Sequence, residues 1–375
     1  MFVGITNTPR DYAWGSTTAI AGLLGTEPSG RPEAELWLGA HPGSPARLVG
    51  REGTLADVVP GRLPFLLKVL AAASSLSLQA HPTPEQAEAG FAAENAAGVP
   101  IDAPDRNYKD AFHKPELIYA LDDDFRALCG FRRVAETRAL LLPVASDART
   151  APLLDRLVDD ASLRSVFEWL ITRGDGVDEL IAALVEASAA AEGLSWDTVR
   201  QLAHDFPNDP GIAISLLLHT VALASGEVLY LPAGNIHAYL HGLGIELMAA
   251  SDNVLRGGLT PKHVDVPELL RVLDFRPLPV PYLRPEEPQP GVRVYRPDVP
   301  DFVLTVVSPD AARSGVTVPL PGPAIVLCTS GSVKASNGLE LRRGEAAFVS
   351  DERSLFVEGD GAVFFASSTL PTETS

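Results

Sequence analysis

The chain has 375 residues, 46% of them hydrophobic, and carries 48 acidic against 30 basic side chains for a formal charge of −18. That length holds two or three domains around a sizeable core. The charge excludes a nucleic-acid or anionic-membrane partner, because so few cations cannot cover a broad surface, and any anionic ligand must be met by cations gathered locally.

In chain order, the opening "MFVGITNTPRDYAWG" lacks a basic segment followed by an apolar one, and no apolar run approaches membrane length. A cytoplasmic location is expected. Up to about residue 130, short apolar runs alternate with Gly, Pro and turn signals, which predicts a β-rich region with one short helix at "TPEQAEAGFAAENA". Inside it, "SLSLQAHPTPEQA" (75–87) alternates as a strand does. Ser75, Ser77, Gln79 and His81 share one face, and Leu76, Leu78 and Ala80 share the other. Pro82 and Pro84 stop the ladder, so Gln79 and His81 stand where a sheet offers side chains to a ligand. In "NYKDAFHKPELIYAL" (107–121), Lys114 and Glu116 alternate onto one face around Pro115, and "ELIYAL" continues as a strand.

From about Val134 to Phe206, apolar residues recur every three or four positions ("LRSVFEWLI", "VDELIAALVEASAAA"), predicting amphipathic helices with N-caps at Ser162 and Asp175. "DPGIAISLLLHTVAL" predicts a further buried helix, with His219 as a helix histidine, while His204 and His263 read as surface positions. Strands return at "GEVLYLPAGNIHAYLHGLGIELMAAS", where one strand ends at Leu231, the chain turns through Pro232–Asn235, and a second begins with His237, Tyr239 and His241 on one face. "RPLPVPYLRPEEPQPG" (276–291) is too rich in proline for a central strand and reads as a connector. Beyond it, "VRVYR", "FVLTVVS", "AIVLCTS", "GEAAFVS" and "AVFFASS" predict a small β-sandwich or jelly roll. It contains no histidine, so imidazole chemistry belongs upstream. Cys129 and Cys328 lie in apolar settings and read as free buried thiols, and "TLPTETS" reads as a frayed tail.

Gln79, His81, Glu116 and His237 could together form an N/O donor set for one divalent metal. With no thiolate and an open position, such a set suits catalysis better than a structural cage. Taken singly, each has an ordinary alternative: His81 as a strand-end cap, Glu116 as the partner of a lysine. The spacing Gly226, Pro232, Gly234, His237 resembles the second cupin motif, with His241 where asparagine is usual.

"YAWGS" (12–16), "AELWLGAHPGSPA" (34–46), "LSLQAHPTPEQA", "YKDAFHKPEL", "LPAGNIHAYL" and "IELMAASDNVLRGGLTPKHVDV" (245–266) resemble, in order, the signatures of type I mannose-6-phosphate isomerases. The resemblance runs to about residue 275. It implies a mainly β fold with a helical insertion: a cupin-type jelly roll of residues 1–131 and 207–275, helices over 132–206, a connector at 276–291 and a second jelly roll over 292–370. It implies interconversion of mannose 6-phosphate and fructose 6-phosphate through an enediol, feeding GDP-mannose metabolism. One Zn²⁺ per chain would rest on Gln79, His81, Glu116 and His237, with Arg256 as the active-site arginine. The proton-transferring base is left open among Lys114, Glu246 and His241. Ser77 and Lys262 would meet phosphate or hydroxyls, and Trp14, with Trp37 and His41, would form pocket walls. The expected partner is a small sugar phosphate, with neither nucleic acid nor membrane, and the protein is expected to be a monomer. Two departures, Ala111-Phe112 before "HKPE" and "HGLG" after "HAYL", bear on pocket walls. The competing readings are a related sugar-phosphate isomerase, an iron oxygenase of the same barrel, and a sugar-binding cupin without catalysis.

Overall fold

The strand His237–Ala249 organises the first half of the fold in a computed structural model that describes residues 1–336 and 338–370. Residues 371–375 of the tail expected to fray lie outside the described residues. The first part of this 13-residue strand pairs with Gln79 and with Phe125–Phe131 (His237 opposite Cys129). The second part pairs with Phe65–Ala72 on one side and Glu116–Ala120 on the other (Glu246 opposite Lys68, Met248 opposite Glu116). One strand thus serves two sets of neighbours. The change comes at an irregularity after Tyr239 and at Gly242, whose φ is 117° and where a Cβ would lie 2.8 Å from the Phe125 Cα. Only glycine fits that bend.

Phe65–Ala72 ("FLLKVLAA") is buried at every position, as expected of a strand covered on both faces, yet it carries Lys68 in its middle. Glu116–Ala120 is likewise wholly buried and pairs on its far side with Val228–Leu231. The fold is antiparallel β throughout with a helical part, as the sequence predicts.

The helical region runs from Val134–Leu140 through Leu163–Ile171, Val177–Ser188 and Leu194–Asp205, closing on a core that includes Phe167, Leu180 and Trp196. The caps differ from expectation. Ser162 makes no capping bond, Asp159 instead caps the single turn before it, and Val177–Ser188 starts from Gly176 rather than Asp175. The helix expected to contain His219 stops at Ser215. Leu218–Leu223 is a strand beside Phe125–Phe131, with His219 Nε2 2.9 Å from the Leu278 carbonyl. Thr220 and Val221 are β-branched, and a ladder with an available neighbour outweighs the helical pattern of the leucines.

The C-terminal strands form a sandwich of an eight-stranded and a four-stranded sheet around Val307, Val326, Cys328 and Phe365. Both cysteines are free and buried, and burial pushes the thiols up, Cys129 to about 12 and Cys328 to about 11. The domain boundaries drawn from the sequence do not foresee where Phe2–Thr6 goes. It pairs with Ala346–Val349, Phe2 opposite Val349, inside the larger sheet of the sandwich. That sheet's other face packs on the first barrel, so Ile5, Val69, Leu247, Phe348 and Phe364 share one core. The proline-rich connector is also anchored: the Pro281 carbonyl accepts from Tyr230 N at 2.9 Å and Leu283 N donates to the Val228 carbonyl at 2.8 Å. Its end, Glu286–Gln289, is an exposed edge strand with an irregular register, a sheet position where a proline is tolerated.

Candidate metal centre and its cavity

Gln79–Ala80 is a two-residue strand held between His237 and Leu255–Arg256, with Gln79 opposite both His237 and Arg256. The chain then enters the helix Pro84–Ala96 through a capping box, Gln86 N donating to Thr83 Oγ1 at 3.2 Å and Thr83 N to Gln86 Oε1 at 2.9 Å. His81 is therefore fixed between a ladder and a cap. Glu116 and His237 each begin a strand, and both are completely buried, as is His81. A ligand atom of each lies within 4.8 Å of the other two. His237 Nε2 is 2.9 Å from Glu116 Oε1, and His81 Nε2 is 3.4 Å from Glu116 Oε2.

The outer nitrogens identify what this set is built for. His81 Nδ1 lies 2.8 Å from the Asn253 carbonyl and His237 Nδ1 lies 2.9 Å from the Asn235 carbonyl. A carbonyl only accepts, so each Nδ1 donates and each Nε2 is turned toward the carboxylate. Burial, reinforced by the charge of Lys114, lowers His81 to about 4, so at neutral pH its Nε2 is a bare lone pair. Two imidazole nitrogens and a carboxylate aimed at one point close around a cation. Carbonyl-anchored histidines with their free nitrogens convergent are the arrangement of metal ligands, and the donor set fits a zinc-type ion. Burial alone would raise the Glu116 carboxyl, but Lys114, with Nζ 3.1 Å from Oε2, and the two histidines outweigh it and hold the group well below 4.5. The Tyr239 hydroxyl donates to Glu116 Oε1 at 3.2 Å.

A cavity of about 890 Å³ reaches the neighbours of this cluster, Gln79 and Lys114, and is lined also by Trp14, Ser77, Arg256 and Lys262 among others. Burial lowers the Arg256 guanidinium, and burial together with the Arg256 charge lowers Lys262. Among the described residues neither has an ion-pair partner, in a protein whose formal charge is −18. Two adjacent unpaired cations on one wall supply the local positive charge that an anionic group requires.

The other expected residues divide. Trp37 lines the cavity, and His41 packs edge-on against it with ring centroids 5.1 Å apart, reaching Asp252 at 3.5 Å. Glu246 is buried and is not part of the lining; its Oε2 is 2.8 Å from Lys68 Nζ. His241 is exposed and lies in an adjoining groove beside Asp124 and Arg126. His204 is exposed too, at the rim beside Asp205, and His263 is exposed outside the lining. Phe112, one of the two departures, sits beneath the Arg62 guanidinium (3.6 Å to the ring centre) and not on the cavity. Lys68, which sequence reasoning passed over, does line the cavity and is held by Glu246 and by Glu35 at 3.4 Å; Glu35 in turn accepts from Trp37 Nε1 at 2.9 Å. The signal was present: a lone lysine inside "LPFLLKVLAAA" cannot be buried without carboxylate partners.

Residues 2–134 match the family described as phosphomannose isomerase type I, catalytic domain. The mannose-6-phosphate isomerase of Escherichia coli (strain K12) is 40% identical over 380 residues, covering 95% of this chain and 96% of that protein. That of Bos taurus is 33% identical over 404 residues, covering 92% of each. A crystal structure of mannose 6-phosphate isomerase bound with zinc and yttrium aligns with a TM-score of 0.90 at 36% identity, covering 98% of this chain and 100% of that one.

Proposed function

The chain belongs to the type I phosphomannose isomerase family, and on that premise we propose that it interconverts D-mannose 6-phosphate and D-fructose 6-phosphate using one Zn²⁺. The observation that carries this is a buried metal-type donor set whose neighbours Gln79 and Lys114 line the same cavity as two unpaired cations, Arg256 and Lys262. Gln79, His81, Glu116 and His237 hold the metal. When bound, it supplies Lewis-acid stabilisation of the negative charge that develops on the substrate oxygens.

The reaction removes the proton on C2 of the open-chain aldose and returns one to C1, while a hydroxyl proton moves between the two oxygens. It consumes no oxidant or reductant. Lys114 is assigned the carbon proton, because among Lys114, Glu246 and His241 it alone both lines the cavity and touches Glu116. Arg256 stands opposite Gln79 in the ladder, nearest the ligands, and meets developing oxyanion charge. Lys262, more exposed and farther along the same wall, takes the phosphate. Ser77 offers a hydroxyl contact and Trp14 an apolar wall. Lys68 holds its ammonium toward the cavity through two carboxylates.

The chemistry is placed in the first barrel, residues 1–131 and 207–275, with the helices of 132–206 as a wall, the connector at 276–291 and the sandwich of 292–370 as support. The described residues contain no helix long and apolar enough to cross a membrane. A single chain acting in the cytoplasm, its two thiols reduced, completes the reading. Metal analysis coupled to an isomerase assay with mannose 6-phosphate tests it. One zinc per chain is expected, with activity lost on chelation and restored by zinc. Activity that survives complete metal removal ends the metal-assisted scheme.

A further inference from the structure

We propose that Asn253 is a positioning residue that ties the metal-ligand set to the loop carrying Lys114, so that ligands and proton carrier are set as one unit; this rests on the metal reading above.

Asn253 lies between the end of His237–Ala249 and Leu255–Arg256, and it is completely buried. Residues 107–115 have no regular ladder, so their backbone groups need partners from elsewhere. The Asn253 amide supplies them. Its Oδ1 accepts from Lys109 N at 2.7 Å and Asp110 N at 3.3 Å, and its Nδ2 donates to the carbonyls of Asp110 and Phe112, both at 2.8 Å. The side chain acts as an extra peptide unit inserted into the loop that ends at Lys114-Pro115-Glu116.

The same residue's backbone carbonyl accepts from His81 Nδ1 at 2.8 Å. That bond sets the ring orientation and the direction of Nε2. One residue therefore touches neither metal nor substrate, yet holds a ligand through its backbone and the Lys114 loop through its side chain. Outer-shell bonds of this kind typically change metal affinity by about 10–100-fold when broken. An aspartate has the same shape but would turn a carboxylate oxygen onto two carbonyls and, 3.3 Å from the present Nδ2, onto Asp110 Oδ1. A second clamp exists in Ser251, whose Oγ donates to Asp110 Oδ1 at 2.8 Å and to the Phe112 carbonyl at 3.1 Å and accepts from Asn253 N at 3.2 Å, but makes no bond to His81. Ser251→Ala therefore loosens the loop and removes one bond to the Asn253 backbone N–H, while the amide clamp on 109–112 and the carbonyl bond to His81 stay in place.

The test compares the full-length wild type with Asn253→Asp, Asn253→Ala and Ser251→Ala. Zinc affinity is measured by competition with a chromophoric chelator, kcat and KM for mannose 6-phosphate at saturating zinc, and hydrogen exchange over residues 107–113 with and without zinc. Asn253→Asp keeps the carbonyl bond to His81 but shifts the segment that makes it, so it is expected to weaken zinc by about tenfold, the low end for disturbing an outer-shell bond, and to lower kcat more than it raises KM. Zinc should slow exchange over 107–113 in the wild type and cease to do so in this variant. Ser251→Ala, which keeps the amide clamp and the His81 bond, should weaken zinc less than either Asn253 variant. If the Asn253 variants only melt earlier, with zinc affinity and kcat unchanged, the residue is merely structural and the proposal is overturned. If neither Asn253 variant folds, the wild type decides alone: exchange at 107–113 indifferent to zinc overturns it. A wild type that binds no zinc overturns the metal reading and this proposal with it.

Discussion

Replacing Lys68 with methionine is expected to destabilise the metal-free protein by about 3–5 kcal/mol near pH 8, because it strands a buried charge. Lys68 sits in a strand buried along its whole length, 2.8 Å from Glu246 and 3.4 Å from Glu35, both inaccessible to solvent in the main. Glu35 stays pinned by Trp37 after the ammonium is gone, and Glu246 remains buried in its ladder. Unfolding entropy of roughly 2.1 cal/mol/K per residue over 375 residues is about 0.8 kcal/mol/K, so the loss corresponds to a melting temperature about 4–6 °C lower. The deficit should depend on pH. Burial raises the Glu246 carboxyl above its ordinary 4.5 although Lys68 opposes it, and removing Lys68 raises it further. A carboxyl raised on folding holds its proton more tightly in the native state. Its favourable contribution is complete below 4.5 and is lost as pH rises through the raised value. The gap between variant and wild type should therefore be widest near pH 8 and narrow as pH falls toward about 5. Lys68→Met combined with Glu246→Gln removes the nearer of the two stranded carboxylates and should recover part of the loss, Glu35 remaining unpaired by the lysine. Thermal melts of the chelated proteins at the two pH values decide the matter. A single variant that melts with the wild type near pH 8, or a double variant no better than the single, refutes the reasoning.

Lys114→Met should retain zinc while turnover drops by about 10²–10⁴-fold, as loss of a general base does, with Glu246→Gln less impaired; turnover and metal content of the two purified variants give the comparison. Full turnover in both would move the base elsewhere. Arg256→Lys keeps the charge but loses the planar fork, and kcat/KM should fall by at least about tenfold in steady-state assays; an unchanged value would mean that a point charge suffices there. Tyr239→Phe removes the hydroxyl that donates to Glu116 Oε1 and also faces Glu246, and chelator competition should show zinc bound about tenfold more weakly.

Much of the proposed site was legible because its chemistry breaks a local rule, and of its residues the structure brings His81, Glu116 and His237 within reach of one another. Gln79 and His81 interrupt an apolar alternation just before two prolines, Lys114 and Glu116 precede an apolar strand, and His237 follows a tight turn. Each was visible within a dozen residues, and family signatures joined them. Lys68 was missed because its run looks like plain core; what distinguishes it, Glu35 and Glu246, arrives on two other strands. Asn253 left no pattern either, since its amide bonds to backbone groups and any sequence could supply those. His219 was misplaced for a related reason: the leucines before it suit a helix, and only the presence of Phe125–Phe131 alongside makes the segment a strand. Local periodicity reports which faces are apolar; it is silent on which neighbour will claim them.

The placement of Phe2–Thr6 against Ala346–Val349 has a bearing on biosynthesis. At about 5–20 residues per second, a ribosome takes on the order of half a minute to deliver the second strand after the first, and for that interval the early strand has no mate. The first barrel cannot finish its own core meanwhile, because Ile5, Phe348 and Phe364 fill it jointly with Val69 and Leu247. Nascent chains would thus remain open to trigger-factor-like holdases until late in translation. Premature termination in the distal sandwich would cost the upstream barrel its stability although every ligand-bearing codon had already been read.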